Sequence, residues 1–171
     1  MLLIGLAGRK RAGKNETARF FAKNLPDYVC HELAFADPLK DEVCKAFNIT
    51  RGELELHKLR WRGLLQWWGT EYRRWDNKNY WTDKWLERIN ALDHTMPSVC
   101  IATDVRFENE YQLIKQLGGY LFRVRRPSSA DDKHTSETAI DNIPMANIDN
   151  FRDIEYLEQQ VKQIITKLKL L

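Results

Sequence analysis

Gly8-Arg9-Lys10-Arg11-Ala12-Gly13-Lys14 follows the apolar run Leu2-Leu3-Ile4-Gly5-Leu6, with only Ala7 between them, near the start of the chain. The apolar run predicts a buried strand, and residues 16–25 predict a helix. A G-x-x-x-x-G-K sequence between a strand and a helix is typical of a phosphate-binding loop. Its glycines let backbone N–H groups surround a polyphosphate, and the helix N-terminus adds positive potential. We expect Lys14 to contact β- and γ-phosphates; the alternative is a glycine-rich turn with a solvated basic run.

The residue after the loop lysine departs from the usual pattern. A Ser or Thr hydroxyl normally binds Mg²⁺ at that position, whereas this chain has Asn15. A carboxamide oxygen is a neutral ligand for a hard cation, but its reach and direction differ from those of a hydroxyl. Thr17 does not simply replace it, because two residues along a helix turn a side chain to another face. The sequence therefore predicts an intact phosphate cradle with an altered metal attachment.

The composition indicates one globular domain, with 171 residues of which 43% are hydrophobic. The apolar runs are too short to span a bilayer, and we expect no signal peptide because charge begins at Arg9. The three cysteines, at positions 30, 44 and 100, are far apart and odd in number. We therefore expect reduced, structural thiols in a cytoplasmic protein. No internal repeat or low-complexity linker is visible, so residues 1–171 are expected to form a single domain.

Basic residues concentrate in two segments, although the net charge is only +3. Residues 9–11 form one cluster, and Arg123, Arg125 and Arg126 form the other. Two such clusters suit a small, highly charged polyanion. A guanidinium stays charged and binds two oxygens at once, which suits the charge that develops on a transferring phosphoryl group. The alternative is a solvated basic strand end; Arg125 and Arg126 are the better placed for function.

Strand-like and helix-like segments alternate along the chain. We expect strands over 2–6, 28–35, 99–103, 120–124 and 145–148, and helices over 37–47, 109–117 and 153–170. Asp37 is expected to cap the helix over 37–47, with Pro38 at its first position. This alternation predicts an α/β fold in which helices cover both faces of a mainly parallel sheet. Ligands bind beyond the carboxyl ends of such strands, where the loop, Asp37, Asp104 and the late arginines are expected.

Asp104 follows the apolar run 99–103. A phosphate-loop enzyme places its second metal-side carboxylate at such a strand end. A helix cap or an ion pair with Arg106 is the alternative. Arg106 also has two alternative roles: it binds a phosphate through two hydrogen bonds, or it holds Asp104 in place.

Residues 48–92 are predicted to be helical and contain all six tryptophans. Aromatic rings beside guanidinium groups can stack on a base and hold a phosphate. Most of the tryptophans are nevertheless expected to pack the segment, with one or two lining a pocket. A single-strand-binding surface is a further interpretation, but the phosphate loop favours a nucleotide pocket. The candidate ligand residues of this segment are Arg60, Trp61, Gln66, Trp67, Thr70, Arg73 and Arg74.

Five motifs occur in a fixed order: GLAGRKRAGKN (5–15), FADPLK (35–40), LQWWGTE (65–71), TDVRFENE (103–110) and HTSE (134–137). Together they resemble the deoxynucleoside monophosphate kinases of bacteriophages, over nearly the whole chain. The resemblance implies a phosphate-loop kinase fold and transfer of the γ-phosphoryl group of ATP to a deoxynucleoside monophosphate. That family tolerates an acidic or amide residue after the loop lysine, which accommodates Asn15.

The resemblance also implies roles for residues. ATP is expected on the loop. From the residues themselves, Mg²⁺ is expected near Asn15 or Asp104, directly or through water. The acceptor is expected near Asp37 and the 48–92 insert, a basic lid over 125–141, and a site role for Glu137. The residues expected to contact ATP are Gly8, Arg11, Ala12, Gly13, Lys14, Asn15 and Glu16. The residues expected to take part in catalysis are Lys14, Asp104, Arg125 and Arg126. Arg106 is expected to bind the acceptor.

No general base is strictly required, because the acceptor phosphate is already an anion and positioning and charge stabilisation carry the rate. The expected partners are small nucleotides, and no nucleic acid or membrane is expected to bind. The sequence does not decide between a monomer and a homodimer. The expected location is the cytoplasm, which is that of the host cell if the protein is viral. One alternative is the same fold acting on another phosphorylated acceptor, such as dephospho-coenzyme A or phosphomevalonate. Another is a non-catalytic nucleotide- or nucleic-acid-binding protein that has lost its metal ligand at Asn15.

Overall fold

The structure is a computed structural model that describes residues 1–93, 95–127 and 139–168. The chain forms two compact units, one of Met1–Leu33 with Asp93–Leu171 and one of Ala34–Leu92. The first unit contains β1 (Leu2–Ala7), α1 (Lys14–Lys23), β2 (Val29–Glu32), β3 (Ser98–Val105), α7 (Glu108–Gln116), β4 (Tyr120–Arg125), β5 (Ala146–Asp149) and α8 (Ile154–Lys167). The second contains α2 (Asp37–Phe47), α3 (Arg51–Leu56), α4 (Lys58–Gln66), a π-helical segment (Trp67–Tyr72), α5 (Arg73–Asp76) and α6 (Tyr80–Asn90).

The first unit is built on a parallel five-stranded sheet with the order β2-β3-β1-β4-β5. β1 is central because its residues are apolar on both faces. Ile4 and Leu6 join the core formed with α1 and α8. On the opposite face, a Cβ placed on Gly5 would lie 2.7 Å from Ile114 of α7, so the glycine permits close packing there. The predicted α/β fold with helices on both faces is confirmed.

The strand that carries Asp104 is longer than predicted. β3 extends through Val105, so Asp104 lies inside the strand rather than after it. Its pairing with β1 shifts, since Gly5 pairs with Ala102 and Ala7 pairs with Val105. Between these pairs, the single residue Leu6 of β1 therefore faces Thr103 and Asp104 of β3, and two residues opposite one is the count of a β-bulge. The irregularity falls at residues 103–104, beside the end of the strand that leads into the loop.

The second unit is helical, as the composition of residues 48–92 predicted. Val43, Cys44 and Leu54 are buried at its centre, with Trp61 and Trp68 packed against them. Trp81 and Trp85 are also buried, and the ring of Trp85 stacks on Phe35 with centroids 4.4 Å apart. Trp67 and Trp75 are exposed at 50% and 86%. Most of the tryptophans therefore pack the unit, as expected.

The start of α2 differs from the prediction. Asp37 is the first residue of the helix, and Ala36 occupies the N-cap position without a side-chain cap. The carboxylate of Asp37 instead accepts a hydrogen bond from the backbone N–H of Ala34 at 2.9 Å and pairs with Arg51 at 2.8 Å. The predicted capping role of Asp37 is wrong, because its carboxylate turns back to the preceding turn and to α3.

None of the helices in the described ranges is both long and apolar enough to cross a membrane.

Candidate active site

The loop between β1 and α1 depends on two glycines with positive φ. Gly8 has φ of 137° and Gly13 has φ of 104°, values that side-chain-bearing residues rarely adopt. A Cβ on Gly8 would lie 2.4 Å from the carbonyl oxygen of Val124, and one on Gly13 would lie 2.4 Å from Nδ2 of Asn150. Both positions therefore require glycine for conformation and for space. Gly13 is also the N-cap residue of α1, so the loop leads directly into a helix N-terminus.

The ammonium group of Lys14 lies across this loop. Lys14 is the first residue of α1, and its Nζ donates to the carbonyl oxygens of Gly8 at 2.6 Å and Arg9 at 3.0 Å. Arg11, between them in sequence, is exposed and has φ of 62°. The loop thus places a half-buried positive charge next to the first turn of a helix, an arrangement suited to polyphosphate.

The two residues considered as metal ligands on α1 have different environments. Thr17 is fully buried, and its hydroxyl donates to the carbonyl oxygen of Gly13 at 3.0 Å, which commits it to the helix backbone. Asn15 is exposed on the first turn. Across the described residues, no group of three or more His, Cys, Asp or Glu side chains could by itself hold a metal ion. A cation held through one or two protein ligands and substrate phosphates would not need such a group.

A buried glutamate organises the turn that follows Asp104. Glu110 is only 2% exposed, and its Oε2 accepts hydrogen bonds from the backbone N–H groups of Arg106 at 2.7 Å and Phe107 at 3.1 Å. This fixes the exit of β3 and so the segment that carries Arg106. The role of Glu110 was not predicted from the sequence, although an acidic residue in the first turn of a predicted helix is a known N-terminal signal.

A cavity of about 340 Å³ opens at the carboxyl ends of β1, β3 and β4. Its walls combine apolar groups with five arginines, and it brings together loop residues with Arg106, Arg125 and Arg126, as expected. Lys14 and Asp104 do not line it. The lining residues are Ala7, Gly8, Arg9, Ala12, Val105, Arg106, Arg123, Val124, Arg125, Arg126, Pro127, Ile140, Asp141 and Phe151.

The arginines around the cavity have different partners. Arg123 donates to three carbonyl oxygens, of Ile140 at 2.5 Å, Asp141 at 2.7 Å and Ile143 at 2.9 Å. It therefore anchors the backbone of that segment to β4. Arg9 of the loop pairs with the carboxylate of Asp141 at 2.5 Å. Asp141 was not predicted as a site residue.

Arg125 and Arg126 were predicted together, but their environments separate them. Arg125 pairs with Asp149 through Nε at 2.9 Å and Nη2 at 2.8 Å, and its guanidinium lies over the ring of Phe151 at 5.6 Å. Arg126 is exposed and has no hydrogen-bond or ion-pair partner within the described ranges. Arg125 therefore forms a fixed wall of the cavity, whereas the guanidinium of Arg126 is available.

In the second unit, the predicted ligand residues are divided between α4, the π-helical segment and α5. Gln66 and Thr70 are half-buried, and Arg60 is exposed. Trp67 stacks on Tyr72, with ring centroids 5.3 Å apart and an angle of 5° between the planes. A π-helical turn is rare and often occurs at functional sites, and no pattern in the sequence indicated it.

The remaining predicted positions fall partly outside the described ranges. Glu137 lies there, as does His134, and so does most of the predicted lid over 125–141.

The environment of Cys100 agrees with a structural thiol. Cys100 is 1% exposed, and its burial, with a smaller contribution from the nearby Cys30, raises its pKa to about 12. A thiol with that pKa is unreactive near neutral pH, which agrees with the structural role predicted for it.

A glycine-bounded loop and a following lysine, placed between the central strand of a parallel sheet and a helix, define this chain as a P-loop protein with a site for a nucleotide polyphosphate. The chain is 36% identical to the protein named "Putative deoxynucleotide monophosphate kinase" of Acanthamoeba polyphaga mimivirus, in an alignment that covers 86% of each chain. The chain belongs to the deoxynucleotide monophosphate kinase family. No family model matches it.

One solved structure agrees with the fold, and a second is reported for comparison. TT1252 from Thermus thermophilus is 16% identical with a TM-score of 0.50, covering 98% of this chain and 97% of that chain. Shikimate kinase from Aquifex aeolicus is 13% identical with a TM-score of 0.49, covering 98% and 96% of the two chains. At these identities the likeness to TT1252 concerns the fold alone.

Proposed function

We propose that this protein transfers the γ-phosphoryl group of ATP to a deoxynucleoside monophosphate, giving ADP and a deoxynucleoside diphosphate. The observation that carries the proposal is the loop from Gly8 to Lys14, whose conformation and charge suit a polyphosphate. The name of the mimivirus relative and the order of the five sequence motifs support the class of acceptor. The motifs further support a kinase of the bacteriophage kind, and the viral source of the relative supports action in the cytoplasm of a host cell.

The donor nucleotide is proposed to bind at the loop and the adjoining cavity. The cavity volume of about 340 Å³ lies in the range of small-molecule sites. Its apolar walls suit a base, and its arginines suit phosphates. Lys14, the amide groups of the loop, and the first turn of α1 with Asn15 and Glu16 would contact the β- and γ-phosphates.

The metal is proposed to be Mg²⁺, which would neutralise charge on the β- and γ-phosphates when bound. Asn15 and Asp104 are the residues that would hold it, directly or through water. A carboxamide oxygen and a carboxylate oxygen are both ligands of the type that Mg²⁺ accepts. The carboxylate at the β3 irregularity supports this assignment, because Asp104 belongs to the strand that pairs with β1.

Arg126 is proposed as the arginine that stabilises the transferring phosphoryl group. Its guanidinium has no partner among the described residues, whereas Arg125 is paired with Asp149. The acceptor phosphate is already anionic, so positioning and charge stabilisation would supply most of the rate and no general base is required. We assign Arg125 to the wall of the donor site.

The acceptor is proposed to bind on residues 48–92, with Asp37 contributing. The stacked pair Trp67 and Tyr72 offers an exposed aromatic surface for a base. The tryptophan fluorescence of the protein should then respond to a deoxynucleoside monophosphate added without ATP. Trp67→Phe should reduce the response and Trp75→Phe should not, since Trp75 is exposed but outside the candidate set. A response that both variants retain in full would place the base away from Trp67.

An acceptor screen tests the reaction directly. ADP formation is measured with ATP, Mg²⁺ and each deoxynucleoside monophosphate, with dephospho-coenzyme A and phosphomevalonate as the competing acceptors and Lys14→Ala as the blank. We expect turnover with at least one deoxynucleoside monophosphate. Turnover only with one of the other acceptors would replace this proposal by the alternative kinase.

A further inference from the structure

A polar cluster inside the second unit is centred on the carboxylate of Glu42 of α2. Its Oε2 accepts hydrogen bonds from Nε1 of Trp68 at 3.1 Å and from Nε of Arg73 at 2.9 Å. Its Oε1 accepts a hydrogen bond from the hydroxyl of Tyr80. The side chain of Glu42 is 23% exposed, so these contacts form where water weakens them less than at the open surface. One carboxylate thus connects α2 to the π-helical segment, α5 and α6.

The guanidinium of Arg73 is held on several sides. Its central carbon lies 5.0 Å from the ring centroids of both Tyr72 and Tyr80, within the range of cation–π contacts. Burial acts to lower the pKa of Arg73, but the hydrogen bond and the charge of Glu42 outweigh it and raise that pKa. Burial, and next the hydrogen bond to Glu42, raise the pKa of Tyr80, so its hydroxyl stays protonated as a donor. The guanidinium of Arg73 is therefore charged and fixed in orientation.

The terminal nitrogens of Arg73 are not used by this cluster. Within the described ranges, Nη1 and Nη2 have no hydrogen-bond partner, and the side chain is 33% exposed. The two terminal groups of a guanidinium match two oxygens of a phosphate. Arg74, the neighbouring candidate, differs because its Nε donates to the carbonyl oxygen of Gly69 and its Nη1 to that of Lys78. Of the two arginines, Arg73 is the one whose terminal nitrogens can receive an anion.

We propose that Arg73 binds the phosphate of the acceptor and that Glu42 is a positioning residue that fixes the Arg73 guanidinium for it. This inference rests on the proposed function, because it takes the ligand of the second unit to be a phosphate monoester. Glu42 is not proposed to bind the acceptor itself, since both of its carboxylate oxygens already accept hydrogen bonds from Trp68, Arg73 and Tyr80. Its effect passes through Arg73, whose orientation would otherwise be one of many rotamers.

The kinetic test compares Glu42→Gln and Arg73→Lys with the unaltered protein. The glutamine keeps the shape of Glu42 and one acceptor oxygen but removes the negative charge. The lysine keeps the positive charge of Arg73 but removes the two terminal nitrogens of the guanidinium. We expect the KM for the deoxynucleoside monophosphate to rise about 10-fold for Glu42→Gln and about 10- to 100-fold for Arg73→Lys, since hydrogen bonds to charged groups are lost. The KM for ATP should change by less than about twofold, because this cluster belongs to the acceptor site.

Two matched controls exist on α6. Glu87→Gln makes the same chemical change at an exposed glutamate that pairs with Lys84, and Arg88→Lys makes it at an arginine that pairs with Asp41. Neither residue is hydrogen-bonded to Glu42 or Arg73, and Glu87 acts on Tyr80 only through its charge. Both variants should therefore keep the KM of the unaltered protein for the acceptor.

A binding measurement separates positioning from general structural support. Calorimetric titration without ATP compares a deoxynucleoside monophosphate with the corresponding deoxynucleoside. Glu42→Gln should weaken binding of the monophosphate about 10-fold and leave binding of the deoxynucleoside unchanged, because only the former carries a phosphate. Equal weakening of both ligands would overturn the inference, since it would mean that Glu42 supports the site as a whole.

The kinetic results distinguish an error in the role of Glu42 and Arg73 from an error in the proposed function. If the unaltered protein phosphorylates deoxynucleoside monophosphates but Glu42→Gln and Arg73→Lys keep its acceptor KM, this inference is wrong and the proposed function stands. If the unaltered protein turns over none of the monophosphates, the proposed function is wrong, and this inference with it. Circular dichroism identifies a variant that does not fold, and Arg73→Lys then decides in place of Glu42→Gln.

Discussion

The side-chain amide of Asn150 donates a hydrogen bond to the carbonyl oxygen of Ala12, with 2.8 Å between Nδ2 and O. The backbone N–H of Asn150 also donates to the carbonyl oxygen of Arg125 at 2.7 Å. Asn150 follows β5 directly, so one residue joins the end of the last strand to the phosphate-binding loop and to the end of β4. Its Nδ2 would also lie only 2.4 Å from a Cβ on Gly13, which explains in part why that position is glycine.

Replacing Asn150 should therefore loosen the loop. Asn150→Ala removes the bond to Ala12 and should destabilise the protein by about 1 kcal/mol. Asn150→Asp should be worse for activity, because a carboxylate oxygen would face a carbonyl oxygen and add negative charge near the phosphates. We expect kcat/KM for ATP to fall roughly 10-fold for Asn150→Ala and further for Asn150→Asp. Steady-state kinetics check this, with Asn147→Asp on β5 as the control; equal kinetics for all variants would show that the bond does not position the loop.

Lys14→Ala should abolish phosphoryl transfer while the protein stays folded. The lysine charge is needed most as negative charge shifts in the transition state, so kcat should fall more than the affinity for ATP. The loss of one such group costs about 100- to 1,000-fold in kcat. Turnover and ATP binding are measured on the same preparation, with Lys84→Ala as a charge-matched control. Near-normal turnover by a folded Lys14→Ala protein would refute the assignment of the loop.

The metal dependence should distinguish the two proposed ligands. Asn15→Ala should weaken the dependence on Mg²⁺ modestly, because a neutral oxygen contributes less than a charged one. Asp104→Asn should raise the Mg²⁺ concentration for half-maximal rate about 10-fold. The measurement is kcat as a function of Mg²⁺ concentration for both variants. An unchanged curve for Asp104→Asn would leave that residue with a structural role at the β3 irregularity.

Acid should remove a contact between α1 and α8. The hydrogen bond from Lys23 to Glu158, at 2.9 Å, is the main cause that lowers the pKa of Glu158 from 4.5 to about 2; Lys162 and Asn24 add to it. A lowered folded-state pKa stabilises the fold above pH 4.5, and this contribution is lost as the pH falls towards 2. Glu158→Gln should therefore have a lower Tm than the unaltered protein at pH 7, and the difference should disappear near pH 2. A Tm difference that is independent of pH would show that charge is not the cause.

The predicted order of strands and helices agrees with the structure because apolar periodicity and turn residues are local properties. The phosphate-binding loop was likewise predicted correctly, since the spacing of its glycines and lysine reflects the backbone conformation directly. Boundaries were less accurate: β3 extends past Thr103 to Val105, because pairing with β1 lengthens the strand. The cap assigned to Asp37 was wrong, because its carboxylate has a partner on α3 that no local pattern reveals.

The sequence by itself determined the α/β architecture, the loop from Gly8 to Lys14 and the tryptophan-rich helical segment, since each depends on residues close together in the chain. Only the tertiary structure decided which side chains support the candidate sites. Asn150 reaches Ala12 across 138 positions, and Arg73 meets Glu42 across 31. Such partners are chosen by packing between elements, and the same packing pairs Arg125 with Asp149 and leaves Arg126 without a partner among the described residues. Long-range contact of this kind is a property of the folded chain, because it forms only once the strands and helices have assembled.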